Sequence, residues 1–219
     1  MNFKRLTLFA GHYGSGKTSI AVNAALELKK QRQNVAVADL DIVNPYFRAE
    51  DSKDLFLQNG IKLICSQFAN TYVDFPALPD EMYALTDDTT INAVLDIGGD
   101  ERGALALGRI APKILAENNY EMLLVINCYR PLTPDAESVL EIKAEIENAC
   151  RIPFTGIVNN SNLGEETTAQ TVLDSLEFAN SVSKAAGLPI VFTSVAERLY
   201  GELQPQIPDL FPITVNKLF

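Results

Sequence analysis

The chain has 219 residues, 47% of them apolar and 21% charged, with a formal net charge of −10. That length suits one α/β domain with a sizeable core, spanning residues 1–219. The acidic balance argues against a standing nucleic-acid surface, which needs clustered Lys and Arg, and no apolar run reaches the roughly 18 residues of a membrane span.

The amino-terminal stretch Met1–Leu6 runs straight into an apolar segment, so no signal peptide is expected. Arg5–Ala10 reads as a buried parallel strand. Next comes Gly11-His12-Tyr13-Gly14-Ser15-Gly16-Lys17-Thr18, which fits G-x-x-x-x-G-K-S/T. Glycines there allow a tight bend and close approach to an anion, so that successive N–H groups converge on phosphate oxygens. Lys17 adds a point charge for the β- and γ-phosphates, and Thr18 offers a hydroxyl to Mg²⁺. The helix that follows carries Ala21, Ala24, Ala25 and Leu28 on one face and presents its positive end to the same anion. Strand, glycine loop and helix are the arrangement a phosphate-binding loop requires. The expected nucleotide contacts are therefore Gly11, His12, Tyr13, Gly14, Ser15, Gly16, Lys17, Thr18 and Ser19. For His12, the only histidine, a packing or loop-tip role is expected.

Asn34–Leu40 is a second strand, ending in Asp39-Leu40-Asp41. Alternation along a strand puts Asp39 and Asp41 on one side if the strand continues through them. One could orient or deprotonate an attacking water, and the other could hold metal-bound water. A helix from about Glu50 to Gln58, stopped by Gly60, and a strand over Ile61–Cys65 follow. A proline-punctuated loop, Val73–Pro79, leads to a short helix around Asp80–Leu85.

Ile91–Asp96 is an apolar strand ending in an acid, followed by Gly98-Gly99-Asp100. Asp96 stands where a Walker-B aspartate would hold Mg²⁺ directly or through water. A single helix is expected over Ala104–Glu117 and a strand over Met122–Asn127. Thr133-Pro134-Asp135 then starts a helix running to about Cys150, with Thr133 as the cap. Phe154–Val158 is a strand ending in Asn159-Asn160-Ser161-Asn162, where a P-loop protein often reads the base. Guanine recognition usually takes a carboxylate in an Asn-Lys-x-Asp pattern, absent here, whereas an amide offers the donor and acceptor that adenine wants. Asn159 or Asn160 is the expected reader, with ATP preferred over GTP. Thr167–Ala186 is helical, Ile190–Thr193 is the last clear strand, and the tail from about Gly201, with Pro205, Pro208 and Pro212, is expected to be mostly irregular. Cys65, Cys128 and Cys150 lack CxxC spacing, so a reducing cytoplasm is the expected setting.

Strands alternate with helices throughout, implying a mostly parallel sheet with helices on both faces, and such sheets bind ligands at their strand carboxyl ends. Every polar cluster named above falls at such an end. Arg48 and Arg102 lie in the two loops flanking this site and are candidates to neutralise charge on a transferring phosphoryl group, Arg102 being the better placed because it follows Gly98-Gly99.

Together these pieces resemble the MinD/ParA-like P-loop ATPases, which include the nitrogenase iron protein and the CobQ/CobB nucleotide-binding domains. The Asp39-Leu40-Asp41 and Asp96-Ile97-Gly98-Gly99-Asp100 segments carry the resemblance beyond the glycine loop. It implies that Lys17 and Thr18 bind nucleotide and Mg²⁺, that Asp39 and Asp41 belong to one switch segment and Asp96–Asp100 to the other, and that the protein is a nucleotide-dependent dimer whose ATP state engages a protein client. The family's second loop lysine is missing: His12 stands in its place and Tyr13 replaces a glycine. The loop is in this respect more similar to that of nickel-enzyme GTPase chaperones. The reading is an Mg-dependent ATPase switch. The alternative is a small-molecule kinase or ATP-dependent ligase, with Asp41 or Asp100 activating a metabolite in a pocket formed by Val73–Pro79. A third reading is a module that holds nucleotide without turnover.

Overall fold

Val35 to Leu40 are buried without exception, which a strand achieves only when both faces of its sheet are covered. The computed structural model describes residues 1–40, 49–65, 78–98 and 101–214. The elements, in chain order, are β1 (Leu6–Ala10), α1 (Lys17–Gln31), β2 (Val35–Leu40), α2 (Lys53–Gln58), β3 (Lys62–Cys65), α3 (Asp80–Asp87), β4 (Asn92–Ile97), α4 (Glu101–Gly108), α5 (Ala111–Glu117), β5 (Tyr120–Ile126), α6 (Ala136–Cys150), β6 (Gly156–Asn159), α7 (Ala169–Ala186), β7 (Ile190–Ala196), α8 (Glu197–Leu203) and β8 (Leu210–Ile213). Among the described residues the strands form one eight-stranded sheet of order β3-β2-β4-β1-β5-β6-β7-β8. Every neighbouring pair is parallel.

Side chains alternate between two cores, as the period of two requires. Leu8, Ala38, Leu95 and Leu124 pack under α3 to α7, whereas Phe9, Val37, Val94 and Val125 pack under α1 and α2. Phe3 meets Phe9, Phe192 and Phe211 edge-on in the second core, with ring centroids 6.0 to 6.5 Å apart. At the amino ends of the strands, buried Arg5 pairs with Glu117 and donates to the carbonyls of Leu85 (3.0 Å) and Ile91 (2.7 Å). That clamp is structural and lies at the opposite end of the strands from the glycine loop.

Several expectations about elements change. The helix expected from Glu50 is a short 3-10 turn, Ala49–Ser52, followed by α2. The helix expected over Ala104–Glu117 is two, because Pro112 in the first turn of α5 has no N–H for the helix ladder and its ring crowds the carbonyl of residue 108. The cap of α6 is Asp135, not Thr133: the Ser138 amide donates to Asp135 Oδ1 at 2.9 Å, and this bond holds the carboxyl below the usual carboxylate range. The tail is more ordered than expected. It continues through α8 into β8, which closes the sheet as an edge strand, where Pro212 costs little because no ladder partner needs its missing N–H. Asn23 of α1 accepts from the Thr214 amide at 3.0 Å and ties the end of β8 down.

Candidate nucleotide site

The loop between β1 and α1 is held from inside and from outside. Within it, the Ser15 amide donates to the His12 carbonyl, and Lys17 Nζ reaches the same carbonyl, both at 3.2 Å. Lys17 and Thr18 are buried at the amino end of α1, so the loop N–H groups, the ammonium and the helix dipole share one concavity. Gly16 has φ +88°, and a Cβ there would stand 2.2 Å from Asn160 Nδ2. No other residue fits both the left-handed conformation and the contact.

The outside support comes from β6 and β7. Asn160 Nδ2 donates to the Ser15 carbonyl at 2.6 Å, and Asn160 Oδ1 accepts from Ser194 at 2.5 Å. Asn159 is fully buried and faces away: its amide donates to Ser175 of α7 at 2.9 Å and its carbonyl oxygen accepts from the Ser161 amide at 3.2 Å. The two asparagines expected to read the base are thus engaged by the scaffold, and Asn159 does not line the cavity. Asn162, two residues beyond Asn160, does line it, with Nδ2 donating to the Asn160 carbonyl at 2.8 Å and Oδ1 accepting from the Gly164 amide at 3.1 Å.

A cavity of about 390 Å³ runs from the glycine loop to these strand ends. One end has Gly14, Gly16, Lys17, Thr18 and Ser19. The other has the amides and hydroxyls of Asn160, Ser161, Asn162 and Ser194, backed by Val172, Val195 and Ile213. Tyr13 and Arg130 stand at its rim, both exposed. Among the described lining residues there are two cations, Lys17 and Arg130, and no carboxylate. In a chain with 28 acidic and 18 basic residues, that makes the cavity suited to an anion.

His12 is partly buried, and its Nδ1 donates to the Tyr13 carbonyl at 2.8 Å; a carbonyl can only accept, so the proton resides on Nδ1. His12 and Ser15 do not line the main cavity. They border a much smaller space against β5 and α6.

Asp39 and Asp96 are in register across β2 and β4, at the carboxyl ends of both strands. By alternation with Val37 and Val94 they point to the α1 face. Both are buried. Two carboxylates on adjacent strands, whose backbones run about 4.8 Å apart, favour a cation beside them. These carboxylates and the Thr18 hydroxyl are hard oxygen donors of the kind that suits Mg²⁺, which takes one or two carboxylates and completes its shell from phosphate and water. No group of three or more His, Cys, Asp or Glu side chains among the described residues could cage a metal without such help.

Asp41, Arg48, Asp100 and most of the Val73–Pro79 loop lie outside the described residues, as does the side chain of Arg102, whose backbone is in α4. Sequence reading passed over Arg130 and Ser194, and named Asn162 only as the last member of the Asn159–Asn162 stretch. The segment from Asn127 to Arg130, polar and directly after β5, carried the one available signal, since it too lies at a strand carboxyl end.

The chain matches no protein-family model and no curated protein. It is similar in structure to chloroplast FtsY from Physcomitrella patens (TM-score 0.60, 18% identity, covering 100% of this chain and 63% of that one). It is likewise similar to cell division protein FtsY from Thermotoga maritima (TM-score 0.58, 19% identity, covering 88% and 62%). A third match is the signal recognition particle 54 kDa protein from Aeropyrum pernix, solved in complex with GDP (TM-score 0.54, 16% identity, covering 88% and 41%). The chain thus spans 41 to 63% of the length of these structures. At such identities the likeness establishes the fold, an α/β P-loop nucleoside triphosphatase fold with helices on both faces of a parallel sheet.

Proposed function

We propose that this protein binds and hydrolyses Mg-ATP and uses its nucleotide state to switch a protein client, in the manner of the MinD/ParA-like ATPases. The observation that carries the reading is the placement of the Gly11–Thr18 loop, with Lys17 folded onto it, at the same sheet end as the in-register pair Asp39 and Asp96. The loop amides and Lys17 bind the β- and γ-phosphates. Thr18, Asp39 and Asp96 hold Mg²⁺, which when bound neutralises charge on the phosphate oxygens. Asp41, two residues on from Asp39, orients or deprotonates the attacking water, and Arg102 offsets charge on the γ-phosphoryl group.

Preference for adenine rests on the far end of the cavity. Asn160, Ser161 and Asn162 line it and no described carboxylate does, so guanine's paired N–H donors would lack their usual acceptor there. That one of the similar structures was solved with GDP makes the base the sharpest point to test. The switch reading is supported by how α4 is seated. A Cβ at Gly103 would fall 2.6 Å from the Leu40 carbonyl oxygen and 3.0 Å from the Gly98 amide. Motion at the end of β4 would therefore be felt at once at the end of β2, the arrangement a nucleotide-sensing switch needs.

Competition binding of ATP and GTP in Mg²⁺, with steady-state hydrolysis, tests both parts. ATP is expected to bind more tightly, Lys17→Ala to abolish binding with the fold retained, and hydrolysis to proceed without any added metabolite. Tighter GTP binding would overturn the adenine assignment. Turnover only in the presence of a metabolite would favour a kinase or ligase.

A further inference from the structure

We infer that Arg130, on the connection between β5 and α6, is a nucleotide-binding residue whose guanidinium contacts the phosphate chain from the outer side of the glycine loop. This rests on the reading of the cavity as a nucleotide site and adds to it a cation that the loop motif does not contain.

The connection that carries Arg130 is fixed to the site by the same loop that shapes its far end. The Cys128 amide donates to Ser161 Oγ at 3.1 Å, and Asn127 Nδ2 donates to the Asn162 carbonyl at 3.4 Å. An Asx turn, with the Tyr129 amide on Asn127 Oδ1 at 3.0 Å, and a bond from the Arg130 amide to the Asn127 carbonyl at 3.2 Å then turn the chain back. The result sets Arg130 over the loop: its Cδ, Nε and Cζ lie 3.7 to 3.9 Å from the position a Cβ at Gly14 would occupy. A Cβ at Gly14 would itself sit in ordinary van der Waals contact with the arginine.

Two facts separate this residue from an ordinary surface cation. Arg130 is one of two cations lining a cavity that has no described carboxylate, in a chain of net charge −10. Its guanidinium also makes no ion pair or hydrogen bond with another described residue, although exposed arginines in so acidic a protein have many carboxylates within reach. A planar guanidinium beside loop amides that bind phosphate has the geometry for charge-assisted hydrogen bonds to the same oxygens, with more specificity than an ammonium.

The test is titration calorimetry of Mg-ADP and AMP into wild type, Arg130→Ala and Arg130→Lys, at low and raised KCl, with the thermal midpoint of each nucleotide-free protein. Loss of a charge-assisted contact predicts about tenfold weaker Mg-ADP binding in Arg130→Ala. The same contact predicts partial recovery in Arg130→Lys, a smaller effect on AMP, and a shallower salt dependence in the alanine variant. The nucleotide-free midpoints are expected to coincide. Unchanged Mg-ADP affinity in Arg130→Ala, with wild type binding normally, overturns the assignment alone. Equal losses for AMP and ADP that do not change with KCl overturn the phosphate contact. Failure of wild type to bind any nucleotide overturns the underlying reading and the assignment with it.

Discussion

Asn160 donates from Nδ2 to the carbonyl of Ser15 at 2.6 Å, joining the end of β6 to the glycine loop across 145 positions of sequence. Its other end accepts from Ser194 on β7. One buried amide thus holds together the loop expected to bind phosphate and the two strand ends expected to hold the base. Asn160→Ala leaves the Ser15 carbonyl and the Ser194 hydroxyl buried without that partner. A loss of about 1–3 kcal/mol in urea unfolding is expected, together with weaker nucleotide binding. Unchanged stability would mean that water replaces the amide without cost.

Gly16→Ala is expected to be more damaging, since the new methyl meets Asn160 Nδ2 at 2.2 Å in a residue with φ +88°. The two substitutions should therefore couple. Asn160→Ala removes the steric part of the Gly16→Ala defect but not the backbone part, so the double variant should be more stable than the sum of the single losses. Strict additivity in unfolding free energy would deny the contact.

Asp96→Asn is expected to remove the Mg²⁺-dependent part of nucleotide affinity. Wild type should bind ATP more weakly in EDTA than in Mg²⁺, and the variant should show little difference between the two. A variant that keeps the full Mg²⁺ enhancement would show that Asp39 and Thr18 hold the ion alone.

His12→Ala is expected to leave most ATPase activity in place, because its ring hydrogen-bonds the adjacent Tyr13 carbonyl and does not line the cavity. Rates should be measured over a range of protein concentrations. A large loss that deepens where the protein dimerises would make the histidine a group acting across the dimer.

The glycine loop, the acidic strand ends and the alternation of strand and helix were all legible from sequence because each depends on contiguous residues. Glycine, lysine and threonine at fixed spacing specify a backbone shape whatever surrounds it, and unbroken apolar runs mark strands covered on both faces. β8 was not legible. Leu210–Ile213 is short, contains a proline and follows a turn-rich stretch, and only the edge position beside β7 lets such a segment pair. The break between α4 and α5 was legible in principle, since Pro112 announces it, but the surrounding apolar periodicity suggested continuity.

Sequence by itself determined that a Gly-rich G-x-x-x-x-G-K-T loop is followed by two acidic strand ends, and that the Asn159–Asn162 stretch holds no carboxylate. Tertiary structure alone decided the pairing of Asp39 with Asp96, which depends on β4 being inserted between β1 and β2. It also decided that Asn159 points into α7 while Asn160 is spent on Ser15, since neighbours on a strand face opposite ways and the sheet assigns each its side. Arg130 reaches Gly14 only because parallel order places β5 beside β1. Local spacing can specify what a loop binds, but which distant side chains surround it follows from strand order, which long-range packing sets.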